Sequence, residues 1–237
     1  MLKLYIGNKN YSSWSMRPWV LMTAAGIDFE EVKVRFDSFA PDSAFKRTMG
    51  DLVPTGKVPA LVIDDQPGRA PQVVWDTLAI AETLAERFPD RALWPADARR
   101  RALARSLCAE MHSGFTALRS HCPMNIEASL PEVGERVLAE QPGVRADLAR
   151  IEAMWTGCLN AHGGPWLMGD RLGIVDAYYA PVAMRLRTYA LPVHAAVADY
   201  IERLSASPGV AAWIADALAE HDFLDFEEPY RQHRQAP

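Results

Sequence analysis

Three short stretches of this chain put polar or constrained residues where chemistry can use them. The first, "NYSSWSMRPW" at residues 10–19, crowds Ser12, Ser13 and Ser15 into the turn between a strand and a helix. The first N–H groups of a helix are unpaired and carry partial positive charge, so hydroxyls just ahead of them suit a bound anion. The second stretch is "PTGKVPALV", where Lys57 precedes Val58-Pro59 at the opening of a strand. Proline brings no donor to a strand ladder. An ordinary trans bond at the strand start tolerates that, whereas a cis bond would turn the Val58 N–H and C=O toward a ligand. In the third stretch, "WDTLAIAETLAERFP", Asp76 and Thr77 open a helix. The pair reads as a plain cap, and capping is compatible with holding a carboxylate at the same terminus.

The elements that must position these residues follow from periodicity. "LKLYIG" alternates apolar and polar positions and reads as a strand. A helix over about residues 15–25 ends at Gly26, provided that Pro18 lies in its first turn. "DFEEVKVRF" reads as a second strand and "PDSAFKRTM" as a short irregular helix. "KVPALVID" and "APQVVW" supply a third and a fourth strand, and the helix from Asp76 closes a β-α-β-α-β-β-α order. Two prolines mark residues 88–96 as a linker. Beyond it only helical patterns occur, near 96–121, 132–161, 174–189, 194–205 and 207–220. Leu148, Ile151, Trp155 and Leu159 recur at helical spacing as core, and the polar tail from Glu227 is expected to be loosely held.

Bulk properties narrow the function classes. The 237 residues are 49% hydrophobic and 23% charged, with a net charge of −5, as in an ordinary globular protein. The balance argues against nucleic acid, and Arg99, Arg100 and Arg101 read as a solvated helix face. No apolar run is long enough to span a membrane, and the N-terminus lacks a secretory h-region. Cys108, Cys122 and Cys158 form no metal-ligand or redox spacing, so reduced thiols, a cytoplasmic location and no metal site are expected.

Taken in their order and spacing, "SSWSMRPW", "PTGKVPALV", "WDTLAIAETLAERFP" and "GDRLGIVDAYYAPV" resemble the cytosolic glutathione transferases over about residues 1–225. The resemblance implies an α/β thioredoxin-like N-terminal domain (1–87), the linker (88–96) and an all-α C-terminal helical domain (97–237). It also implies glutathione as co-substrate, a small electrophile as second substrate, a homodimer and a role in detoxification. A tripeptide with two carboxylates and an ammonium needs donors and counter-charges. Lys57 would meet the glycyl carboxylate, the Val58 backbone beside Pro59 the cysteinyl backbone, Thr77 and its helix the γ-glutamyl carboxylate, and Asp76 the ammonium. The family usually shows Glu-Ser or Gln-Ser at this last pair, and Asp-Thr keeps both groups with a shorter acid.

The serines would then serve the thiol. Its ordinary pKa of about 8.5 leaves little thiolate at neutral pH, and a hydroxyl donor stabilises the anion. "SSWSMR" resembles the "SSCSWR" stretch of zeta-class enzymes, which selects Ser12, whereas the "SPFSR" stretch of tau-class enzymes selects Ser13. Both remain candidates, with Ser15 as the helix cap and Arg17 as a structural or dimer-side residue. Trp14 replaces the zeta cysteine, which excludes cysteine chemistry there and weakens the case for maleylacetoacetate isomerisation. Around "EMHSGFTALRSHCPMN" the resemblance implies an acceptor pocket with Trp14, His112, Phe115 and Arg119, and Met111 and Met124 as apolar walls, while the residues of this run read equally well as ordinary core and surface positions of a helix. The expected function is serine-type glutathione transfer. Glutathione-dependent isomerisation, dehalogenation or peroxide reduction stands as an alternative, as does non-catalytic ligand binding on the same fold.

Overall fold

The computed structural model describes residues 1–233, and the last four residues of the polar tail lie outside that range. Strand β1 (Leu2–Ile6) buries Leu2, Leu4 and Ile6 on one face, as its alternation predicts. Helix α1 (Ser13–Ala24) returns the chain to β2 (Glu30–Lys33), parallel to β1. After α2 (Ala44–Leu52), β3 (Ala60–Ile63) pairs antiparallel with β1, and β4 (Gln72–Trp75) pairs antiparallel with β3. The sheet order is β2-β1-β3-β4. The all-apolar β3 is buried at every position, as befits an inner strand. Helix α3 (Thr77–Arg87) and a 3₁₀ turn at Pro89–Arg91 complete this half.

Helix α1 starts at Ser13, two residues earlier than expected, so Pro18 sits inside it rather than in the first turn. The cost is the one donor that position 18 would have given the Trp14 carbonyl. Its far end closes as anticipated at Gly26 (φ 61°), where Gly26 N–H bonds Thr23 O and Ile27 N–H bonds Met22 O.

Among the described residues seven α-helices follow: α4 (Ala98–Ser113), α5 (Thr116–His121), α6 (Pro131–Glu140), α7 (Pro142–His162), α8 (Ile174–Thr188), α9 (Ala195–Ala206) and α10 (Pro208–Ala219). Two stretches read as single helices are each broken. The first breaks at Gly114 and Phe115, the latter in the left-handed region at φ 52°. The second breaks at Gln141, which the following Pro142 drives out of helical conformation. Helix α1 packs on α8 and α10, so one apolar core runs from the sheet into the helical half. Among the described residues, no helix is long and apolar enough to cross a membrane.

Asp176 anchors the start of α8. It is fully buried, and its carboxylate accepts from Gly173 N–H (3.0 Å), Leu167 N–H (3.0 Å) and the Tyr200 hydroxyl (2.9 Å). Gly173 offers no hydroxyl in return, so only half of a reciprocal capping box forms. Residues 227–233 of the tail are held more firmly than their composition suggested. Glu228, also buried, accepts from Tyr11 Oη (2.7 Å), Asn125 Nδ2 (2.8 Å) and the Arg231 guanidinium (2.8 Å from Nε). Polar residues pair well when several donors converge on one carboxylate.

Candidate active site

Two cavities lie side by side where the sheet half meets the helices. One, of about 350 Å³, is bounded by Lys57, Val58, Pro59, Asp76 and Thr77 from the sheet half and by His112 from α4. The other, of about 450 Å³, is bounded by Ser12, Ser13, an aromatic group of Phe36, Phe39 and Phe45, then Met124, Arg185 and Glu227. Trp14, Lys57, Val58 and Arg119 line both. Each volume suits a small molecule, about 300–1,000 Å³ being usual.

Local structure explains the first cavity. The Val58-Pro59 bond is cis, and the ladders of β3 begin only at Ala60, so Val58 stands outside them beside the cavity. Asp76 is the N-cap of α3 at φ 74° and accepts from Leu78 N–H at 2.8 Å. Thr77 is buried and shares a hydrogen bond with the Tyr178 hydroxyl of α8. Its own N–H belongs to the unpaired first turn of α3. The arrangement therefore offers a cation at Lys57, a strand-like backbone at Val58, and a helix terminus beside an acid.

His112 lies around one cavity with Trp14 and Arg119, as grouped from the sequence. It faces the first cavity, with Nε2 3.4 Å from Asp76 Oδ2 and Nδ1 3.4 Å from Tyr178 Oη, and does not line the second. Phe115 and Met111 line neither. Both are buried, and the Phe115 ring meets Tyr179 edge-on at 6.4 Å, because the break at Gly114 turns it into the core. Trp14 lines both cavities and so stands at the wall between them. Arg17 lies 4.2 Å and Arg119 5.0 Å from its ring centre, and the His112 ring stands edge-on at 5.1 Å. Arg17 is buried in the chain's own core, donating to Ser13 O and Tyr178 O.

The serines divide by their partners. Ser12 Oγ donates to Ser15 Oγ at 2.7 Å, and Ser15 Oγ also accepts from Gly7 N–H at 3.1 Å. Ser15 is thus a buried tie between β1 and α1, not the helix cap; Ser12 holds the N-cap position without a side-chain capping bond. The Ser13 hydroxyl has no protein partner among the described residues and lines the second cavity at the start of α1. The three cysteines are buried and unbridged. Burial pushes the Cys122 thiol up to about 12 and that of Cys158 to about 11, which leaves neither as a nucleophile.

The sequence reading missed Arg185, Glu227 and the three phenylalanines. The three aromatics fall close together in the run "RFDSFAPDSAF", where Phe36 reads as part of the second strand and Phe45 as part of the short helix, and neither reading signals a cavity. Arg185 lies in an apolar helical pattern that gives no hint of a cavity.

A sheet opened by a cis-proline strand, joined to a helical half with a paired cavity at the joint, defines a thioredoxin-like domain carrying an all-helical domain. Residues 11–87 match the N-terminal domain of glutathione S-transferase and residues 97–216 match its C-terminal domain. The chain belongs to the glutathione S-transferase family. "Glutathione S-transferase 1" of Dianthus caryophyllus is 28% identical over 181 residues, covering 76% of this chain and 75% of that protein. "Maleylacetoacetate isomerase" of Pseudomonas aeruginosa is 28% identical over 184 residues, covering 76% and 79%. The crystal structure of a Burkholderia glutathione transferase homologue with bound glutathione superposes with a TM-score of 0.64 at 25% identity, covering 92% of this chain and 98% of that one.

Proposed function

We propose that this glutathione transferase is of the serine type, with Ser13 as the donor to the glutathione sulfur. The observation that carries the reading is the contrast between the serines: Ser12 spends its proton on Ser15, whereas Ser13 keeps its hydroxyl free at a helix terminus on the cavity wall. Glutathione would lie in the first cavity, with Lys57 on the glycyl carboxylate and Val58 along the cysteinyl backbone. The Thr77 terminus would take the γ-glutamyl carboxylate and Asp76 the ammonium. That path brings the sulfur to the shared wall at Trp14 and Val58, next to Ser13.

The chemistry asked of the protein is modest. The thiol loses its proton to solvent, and the partial charge of the α1 terminus and the Ser13 hydroxyl stabilise the thiolate. The thiolate then forms a carbon–sulfur bond with an electrophile in the second cavity, and the leaving group departs with the bonding pair. The sheet half thus serves glutathione and the helical half the acceptor. A homodimer in the cytoplasm is the assembly and place proposed for it.

Calorimetric titration with reduced glutathione and with its S-methyl analogue tests the binding half of this reading. Both should bind, since only the sulfur differs, and Asp76→Ala should weaken both by about tenfold or more, as loss of a charge-assisted bond implies. Absence of binding by either peptide would contradict it.

A further inference from the structure

Three guanidiniums, of Arg17, Arg119 and Arg185, lie close together around the paired cavities. Arg17 and Arg185 are buried at 2% and 5% exposure, and Arg119 lies close enough to both to disfavour their charge. Their hydrogen bonds go to neutral carbonyls: Arg17 to Ser13 O and Tyr178 O, Arg185 to Cys122 O at 2.5 Å, Arg119 to Gly114 O at 3.3 Å. Among the described residues none of the three is within ion-pair distance of a carboxylate, and the buried Arg185 Nε has no partner at all. Burial first, and then the neighbouring guanidiniums, pull Arg17 down to about 9 and Arg185 to about 10. Both remain cations at neutral pH. Buried charges are ordinarily paired, because an unpaired one forfeits its hydration for nothing.

Two of these cations, Arg119 and Arg185, line the second cavity. Its one acid, Glu227, makes no ion pair with either, and burial, then the nearby Glu228, pushes it up to about 7. Around neutrality that carboxyl is only partly charged and leaves the arginines in excess. Lys46 is already committed to Gly56 O at 3.0 Å. The same cavity is lined by Phe36 and Phe45, their rings edge-on at 4.9 Å, with Phe39 half-exposed at 5.2 Å from Phe36. The cavity lining thus combines aromatic rings with guanidinium cations.

We infer that the acceptor cavity selects an aromatic electrophile bearing a carboxylate, its ring against Phe36, Phe39 and Phe45 and its carboxylate on Arg119 and Arg185. The inference rests on the proposed division of the two cavities between glutathione and acceptor, and it names the acceptor's class. A guanidinium matches a carboxylate in plane and in donor spacing, and neither Arg119 nor Arg185 has a carboxylate partner among the described residues. The electrophilic carbon of such a ligand would lie toward Ser13 and Trp14, where the sulfur is placed.

The test uses cinnamate and cinnamamide, which share ring and shape and differ in charge. The full chain is titrated with each, with and without saturating S-methylglutathione. The native protein should bind cinnamate at least about tenfold tighter than the amide, and Arg119→Gln and Arg185→Gln should each remove most of that preference. Arg119 is partly exposed, so its variant carries the test should the Arg185 variant fail to fold. A preference that vanishes once S-methylglutathione is bound would show the arginines serving the glycyl carboxylate and overturn the inference. Equal binding of the two ligands, or a preference surviving both substitutions, would overturn it as well. S-methylglutathione binding is read in the same experiment, so failure of the glutathione reading is seen separately.

Discussion

Ser13→Ala should lower kcat/KM for conjugation of chlorodinitrobenzene by about 10- to 100-fold at neutral pH, the range expected for losing one preorganised donor to a developing or resident anion. The reason is local. Ser13 heads α1, its hydroxyl is the one in the serine cluster with no hydrogen-bond partner among the described residues, and it lines the second cavity next to Trp14. Without it the bound thiol would titrate higher, so the loss should shrink as pH rises toward the free thiol's range of about 8.5. Ser12→Ala should be milder, within a few-fold in rate, because Ser12 donates to Ser15 and its removal leaves Ser13 in place. The pH–rate profiles of the two variants separate these outcomes. A larger loss in Ser12→Ala would transfer the role to Ser12.

The second large effect concerns folding. Asp176→Ala should destabilise the protein by about 3–5 kcal/mol, since the Leu167 N–H, the Gly173 N–H and the Tyr200 hydroxyl would each be left buried and unpaired at about 1–3 kcal/mol apiece. Asp176→Asn should also cost stability, because its amide nitrogen would face donors. Burial raises the Asp176 carboxyl to about 6, against the opposing pull of Leu167 and Gly173 N–H. The folded chain therefore holds this proton more tightly than the unfolded chain does. The contribution of this group to stability is greatest below pH of about 4 and falls as pH rises through about 6. Urea unfolding of the native protein and Asp176→Ala across that window should show the slope in the first and its loss in the second. Unchanged midpoints in the variant would contradict the account of the α8 anchor.

Much of the first cavity could be read from local patterns. Val58-Pro59 and Asp76-Thr77 are each adjacent in the chain, and a proline at a strand opening or an acid-hydroxyl pair at a helix start constrains the backbone wherever the rest of the fold goes. The element order was legible for the same reason, since period-two and period-3.6 patterns switch cleanly along the chain.

What stayed hidden depended on long-range placement. Phe115 falls at helical spacing from His112, and only the left-handed break after Gly114 sends it into the core while His112 turns to Asp76. The signal at Pro142 was present, and helical periodicity outweighed it on either side. Arg185 meets Cys122 from 63 residues away, and Glu228 meets Tyr11 from 217. No local period encodes such pairings. The tail's composition suggested solvent, yet at Glu228 a carboxylate with converging donors bonds Tyr11 of the loop that carries the serines.

The most direct test of the central claim is the ultraviolet absorbance of bound glutathione's thiolate, followed against pH in the native protein and in Ser13→Ala. The native complex should show thiolate forming well below the range of the free thiol, with the transition returning upward in the variant. A bound thiol that titrates like free glutathione, or an unmoved transition in Ser13→Ala, would contradict the assignment of Ser13 as its stabilising donor.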